Sequence, residues 1–155
     1  MSPTRTLARP LLASMFVAGG FDALRNPGQR PELVARAGLD NPEKLVRINA
    51  ATQLVGGLTL ATGHLPRLSA LVLAGTLVPT TYVGHPFWSE SDKGARKVQQ
   101  TQFFKNLSML GGLLFAAADT GGRESLPHAA GRITRRTAKR TGKAAARAKK
   151  AAPIG

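Results

Sequence analysis

Charged side chains avoid four windows of this chain, residues 10–21, 48–66, 68–89 and 106–118 apart from their edges. Within them no period-2 alternation of the kind a half-buried strand needs is present, and Leu, Ala, Val and Gly dominate, so the pattern predicts helices. Asn41 followed by Pro42 and Glu43 is a start signal: a capping residue, a first-turn proline and an acid at the positive end of the helix dipole. A helix over 42–63 follows, about 33 Å long at 1.5 Å per residue. Pro66 opens a helix over 66–84 that contains Pro79, where a kink is expected, and breaks at Gly84, His85 and Pro86. Ser91 and Asp92 cap a last helix over 92–119, polar to Gln102 and apolar afterwards, with its first turns on a membrane surface. The first helix covers 6–24 and ends before Asn26, Pro27 and Gly28.

These helices lack the polar face that a soluble bundle requires. Residues 68–76 read Leu-Ser-Ala-Leu-Val-Leu-Ala-Gly-Thr with no charged side, and 107–118 are apolar all round. A chain this short has too few other elements to cover them, which makes lipid the expected cover. A span needs about 20 apolar residues, and the two middle windows come nearest to that unaided. Glycine pairs sit inside three windows, Gly19-Gly20, Gly56-Gly57 and Gly111-Gly112. They cost helix propensity in water but allow membrane helices to approach closely. Residues 53–61 and 108–116 echo one another around their glycine pairs, which two independent helices needing glycine at a crossing explain.

Charge then divides the 155 residues in two. The whole carries 22 Lys+Arg against 8 Asp+Glu, a net +14. Nine of those bases, Arg132, Arg135, Arg136, Lys139, Arg140, Lys143, Arg147, Lys149 and Lys150, are interleaved with Ala, Thr and Gly near the C-terminus, without an acid among them. Such a stretch cannot bury a core. The sequence therefore predicts an all-α architecture: a four-helix transmembrane bundle over 1–122 with a disordered basic tail over 123–155. The tail suits anionic lipid or another polyanion. Four spans put both termini on one side with Arg67, and that side holds thirteen basic residues against nine on the other. The positive-inside rule places both termini in the cytoplasm of a multi-pass cell-membrane protein. The first window also resembles a signal-sequence core, but Asp22 continues a helical segment there and no Ala-x-Ala site follows, so its retention is expected.

The chain has no cysteine, which excludes disulfides, thiol nucleophiles and cysteine-held metals. His64 and His85 fall at opposite ends of their helices and His128 lies in the tail segment, so no metal site is expected. The glycine pairs lack the Lys-Ser/Thr or third glycine of a phosphate-binding loop, and no nucleophile elbow is present. With the spans threaded as above, Asp22, Asn49, Gln53, His85, Lys105 and Asn106 all fall in one half of the membrane. An ionisable group there is a functional candidate. The set could line a polar cavity for a headgroup, a quinone or a small anion. Taken singly, each is equally a polar residue at a span end, and Lys105 a snorkelling one. Independent catalysis is not expected.

The body resembles the DoxX family of small bacterial four-helix membrane proteins. The likeness rests on Arg9-Pro10-Leu11-Leu12-Ala13, Phe16-Val17-Ala18-Gly19-Gly20, Gly56-Gly57-Leu58, His85-Pro86-Phe87-Trp88, Phe104-Lys105-Asn106-Leu107 and Gly111-Gly112-Leu113-Leu114. It covers about residues 5–122. The resemblance implies an integral membrane subunit or accessory protein, grouped with quinone-linked and thiol-stress complexes. By resemblance alone, quinone is the cofactor to consider and a protein subunit the partner. His85, Lys105 and Asn106 match the family pattern and Asp22 is a fourth candidate. Two alternatives stand beside this reading. One is a nucleic-acid-binding protein using a tail like that of linker histones. The other is a small transporter acting as a homodimer through its glycine faces.

Overall fold

In the computed structural model, residues 3–119 are described; they are all-helical, with no strand among them. The order is α1 (Pro3–Arg25), α2 (Arg30–Arg36), α3 (Pro42–Thr62), α4 (Pro66–Gly84), a 3₁₀ turn at Phe87–Ser89, and α5 (Lys93–Ala118). The tail segment from 123 onward lies outside the described residues.

Prolines start three of these helices. Pro31, Pro42 and Pro66 each stand in the first turn of α2, α3 and α4, where a missing N–H costs nothing. The expected Asn41 cap is not made by its side chain. Asn41 sits in the left-handed region at φ 54°, its amide is unused for capping, and its backbone carbonyl accepts from the Leu45 N–H. Asp92 does cap α5, accepting from the Ala95 N–H at 2.8 Å. Gly63, at φ 78°, ends α3 one residue before the predicted boundary, and its N–H bonds the Leu60 carbonyl. Leu65 adopts φ 48° in the same turn, which lets α4 double back along α3 within three residues.

Two features differ from the sequence reading. The stretch after Asn26, read as a loop, contains α2, which packs on α3 and α4. Two helices, α1 and the segment from Pro66 to Ser89, are long and apolar enough to cross a membrane by length and composition. The sequence reading had placed four spans, with residues 48–66 and 68–89 nearest to the required length unaided. The reason lies in α3, whose first three turns carry Glu43, Lys44, Arg47, Asn49 and Gln53. In α5 the corresponding load is Lys105, Asn106 and the glutamines before them.

The long helices pack α1 on α3, α3 on α4 and α4 on α5, with α5 touching α1 more lightly. Chain direction alternates, so each helix has one end on the side of the α3–α4 turn, called here the turn side. The other end lies on the loop side with α2 and the 3₁₀ turn. On the turn side, Arg5 pairs with Asp119 at 2.8 Å and the Arg67 guanidinium donates to the Ala117 carbonyl at 2.8 Å. These bonds join α1 and α4 to the end of α5.

Small residues make the crossings. A methyl group on Gly20 would meet the Ala50 carbonyl oxygen at 2.7 Å and the Leu54 nitrogen at 2.8 Å, so α1 and α3 touch backbone to backbone. Gly57 faces α1 in return, with Val17 2.8 Å from its missing methyl, while Gly56 faces Leu73 of α4. Gly112 receives Leu12. Gly19 and Gly111, by contrast, meet nothing within 4 Å and so pack against no helix here. Successive residues diverge by about 100° around a helix of 3.6 residues per turn. One of a pair can face a single neighbour, and both are used only in α3, which has a neighbour on each side.

Ala13, Phe16, Leu60, Ala70, Leu73, Ala74, Leu77, Leu113 and Ala117 form the apolar core. Larger apolar side chains point outward from every long helix. Among them are Leu7, Leu11, Val55, Leu58, Leu71, Leu114 and Phe115.

Candidate functional site

The six polar candidates occupy the loop-side half, and rotation about each helix sends them to different partners. Asp22, exposed at the end of α1, pairs with Arg30 of α2 at 2.8 Å. Asn49 and Gln53 lie one turn apart on α3 and donate to the same acceptor, the Thr80 hydroxyl of α4, at 3.0 and 3.3 Å. Thr80 in turn donates to the Thr76 carbonyl at 2.7 Å. His85, half-buried at the end of α4, meets Gln99 of α5 through Nδ1 at 2.8 Å. Lys105 is exposed and bonds Gln102 one turn back. Asn106 is buried, on the same stripe of α5 as Leu113 and Ala117.

Two pairings that the sequence reading did not single out complete the picture. Thr59 and Ser69 share a hydrogen bond of 2.8 Å between α3 and α4 on the turn side. Thr80 is the hub of the α3–α4 contact on the loop side, and no charge or motif marks it. The signal that could have found it is stereochemical. Thr76, Thr80 and Thr81 surround Pro79, and their hydroxyls donate to carbonyls three or four residues back, as helix threonines do where the surroundings supply no other acceptor.

Five of the chain's eight aromatic residues gather at this end. Tyr82 and Phe87 both contact Trp88, Trp88 and Phe87 contact Phe103, and Phe103 contacts Phe104, with ring centroids 5.2–6.0 Å apart. The cluster packs the 3₁₀ turn onto α5.

Open hollows mark the surface of the described residues. One of about 620 Å³ lies at the start of α3 beside Asn41, Glu43, Lys44 and Arg47. Another, about 360 Å³, is a groove between α3 and α4 near their turn, lined by Gly56, Thr59, Leu65, Leu68 and Val72 among others. None of the six candidates lines either.

The comparisons with known proteins follow this architecture. The family model DoxX matches residues 4–86, from α1 to Pro86 just past the end of α4. The chain belongs to the DoxX family. It is a helical membrane protein of that group. A curated relative, the inner membrane protein YqjF of Escherichia coli strain K12, is 26% identical over 120 residues, covering 77% of this chain and 86% of its own length. No solved structure matches the chain.

The DoxX resemblance raises quinone as a group to accommodate. A quinone carbonyl is held by hydrogen-bond donors free to turn toward it. Here the His85 ring is engaged with Gln99, and the Asn49 and Gln53 amides donate to Thr80. As arranged, each of these three side chains has a partner on a neighbouring helix.

Proposed function

We propose that this DoxX protein is an integral subunit or accessory protein of a bacterial cell membrane, with α1, α3, α4 and α5 crossing the bilayer. In this reading its turn side and both termini face the cytoplasm, and the basic tail rests on anionic lipid. One observation carries the reading. Large apolar side chains point outward around all four long helices, while Gly20, Gly56, Gly57, Ala13, Ala50 and Ala70 sit between them. That is the reverse of a water-soluble bundle, where the outer face is polar. It suits helices that associate by close packing in lipid. The relative named above as an inner membrane protein supports the same location.

The protein acts by contact rather than by a reaction of its own side chains. Asn49, Gln53 and His85 are engaged in joining helices, and the outward surface is available to lipid and to a partner subunit. Alkaline carbonate extraction tests the core of the proposal: the chain stays with the membrane pellet, and recovery in the wash would overturn it. Orientation has a direct test because the native chain lacks cysteine. Thr141→Cys in the tail is expected to label with an impermeant maleimide only after the inner face is exposed, and Glu90→Cys is expected to label from outside. The opposite pattern would invert the topology.

A further inference from the structure

The groove between α3 and α4 is built from one stripe of each helix. Thr52, Val55, Gly56 and Thr59 come from α3, and Leu68, Ser69 and Val72 of α4 continue from Leu65 of the turn. Both stripes follow the spacing of three, one and three residues that keeps side chains on one helix face. The floor is low at Gly56 and Ser69, which are buried, while the walls Val55, Leu68 and Val72 stand exposed. Its hydroxyls are already committed. Thr59 and Ser69 share a hydrogen bond, Ser69 reaches the Leu65 carbonyl at 3.1 Å, and Thr52 donates to the Ile48 carbonyl at 2.8 Å. An occupant therefore finds no unmet polar group on the floor, which suits hydrocarbon.

The polarity of the groove runs lengthwise. His64 lines its turn end, exposed, with Nδ1 bonded to the Thr62 hydroxyl at 3.1 Å and Nε2 bonded to no described residue. From there the groove follows both helices inward to Thr52 and Val72, about 10 Å at 1.5 Å per residue. One leaflet supplies about 15 Å of a hydrocarbon core about 30 Å thick. The groove thus lies within a single leaflet, with an imidazole at headgroup level and apolar walls below it. A phospholipid acyl chain has the same order and the same direction. A helix of a second copy would cross both leaflets, whereas this recess stops half-way, and nearer the loop side Asn49 and Gln53 tie α3 to Thr80 of α4. Charge agrees with an anionic head. The turn side carries Arg5, Arg9 and Arg67, and its one acid among the described residues, Asp119, is paired with Arg5.

We infer that the α3–α4 groove seats one acyl chain of an anionic phospholipid from the turn-side leaflet, with the lipid phosphate at the His64 imidazole. The inference rests on the transmembrane reading above and deepens it, since it makes one lipid a fixed neighbour of the bundle. As an imidazolium, His64 donates through Nε2 to a phosphate oxygen while Nδ1 keeps its bond to Thr62. Hydrocarbon here replaces hydrocarbon, so apolar burial adds little. Selection comes from the close fit of the chain in the recess and from the head.

Photolabelling of the full-length protein in phosphatidylcholine vesicles tests this. A small fraction of the lipid carries a diazirine in its acyl chain, on either a phosphatidylglycerol or a phosphatidylcholine head, and adducts are mapped by mass spectrometry at about pH 5.5, where an ordinary imidazole is protonated. Phosphatidylglycerol adducts at Val55, Leu68 and Val72 are expected to exceed those at the exposed Leu11 and Leu114 by about fivefold, which corresponds to about 1 kcal/mol. Val55→Phe and Val72→Phe, each on an exposed wall, fill the groove and should remove that excess at the remaining groove positions. His64→Gln should remove the preference for phosphatidylglycerol over phosphatidylcholine, and His64→Lys should keep it. Equal labelling of groove and reference positions would overturn the lipid seat while leaving the transmembrane reading in place. Absence of adducts at Leu11 and Leu114 as well would overturn the transmembrane reading itself. Groove positions shielded from the probe, together with a disulfide-linked dimer through Leu68→Cys, would give the groove to a second copy and overturn the lipid. An unchanged head preference in His64→Gln would overturn the role of the imidazole.

Discussion

A single methyl group distinguishes the two members of each glycine pair. Gly20 and Gly19 are adjacent, but only Gly20 faces the α3 backbone, where an added Cβ would stand 2.7 Å from the Ala50 oxygen. Backbone cannot swing aside as a side-chain end can. Gly20→Ala is therefore expected to lower stability by about 1–3 kcal/mol, the usual cost of overpacking a tight contact. Gly19→Ala meets open space and should be neutral or stabilising by up to about 1 kcal/mol through helix propensity. Thermal unfolding of the detergent-purified protein checks both, and equal effects of the two variants would contradict the crossing. Thr80 offers a second comparison. Thr80→Val keeps the shape but removes the acceptor that Asn49 and Gln53 share, at about 1 kcal/mol for hydrogen bonds between membrane helices. Thr80→Ser retains the hydroxyl and should recover most of the loss in the same unfolding measurement. The sequence displayed the glycine pairs plainly but not which member packs. It placed Asn49, Gln53, His85 and Lys105 at one depth without showing that the first two share Thr80 while His85 and Lys105 turn to Gln99 and Gln102. Depth follows from position along the chain, whereas direction follows from rotation about each axis, and the latter is set by packing.

At the level of elements, what was legible followed from backbone chemistry. Pro42, Pro66 and Asp92 mark where α3, α4 and α5 begin, because proline fixes φ and an aspartate reaches a free N–H. Gly63 marks where α3 stops. α2 escaped notice since seven residues, Arg30–Arg36, are too few to display a repeating apolar face, and its opening Pro31 reads equally as a turn. The 3₁₀ turn escaped for the same reason, though its aromatic content was visible. Phe87 and Trp88 hold that turn against Phe103 of α5 while Trp88 and Tyr82 remain partly exposed. Aromatic side chains with one apolar and one polar part collect at the membrane–water boundary. Trp88 is the chain's one tryptophan, so its fluorescence reports this end alone. In vesicles, nitroxide lipids labelled near the headgroup are expected to quench it more strongly than lipids labelled near the chain terminus. Stronger quenching by the deep label would move the α4–α5 connection into the hydrocarbon and break the proposed threading.

For the molecule as a whole, the body and the tail obey different physics, and a truncation separates them. The body is held in lipid by apolar area, which salt does not screen. Nine bases between Arg132 and Lys150 act through charge, each contributing about 1 kcal/mol near an anionic surface and less as ionic strength rises. A chain ending at residue 122 is thus expected to resist carbonate extraction as fully as the native protein. Its loss should appear only in polyanion contact. Full-length protein in neutral detergent is expected to bind vesicles rich in anionic lipid at low salt and to release them at high salt, and the truncated form should bind weakly at both. Duplex DNA offered in competition separates the two polyanions. Displacement of the vesicles at equal phosphate would favour the nucleic-acid role of the tail, because duplex DNA presents a denser line of charge and releases more counterions. Retention on the vesicles would favour the leaflet. If the truncated chain instead left the membrane, the tail would be part of the anchor, and the apolar helices of the body would be insufficient to hold the protein in lipid.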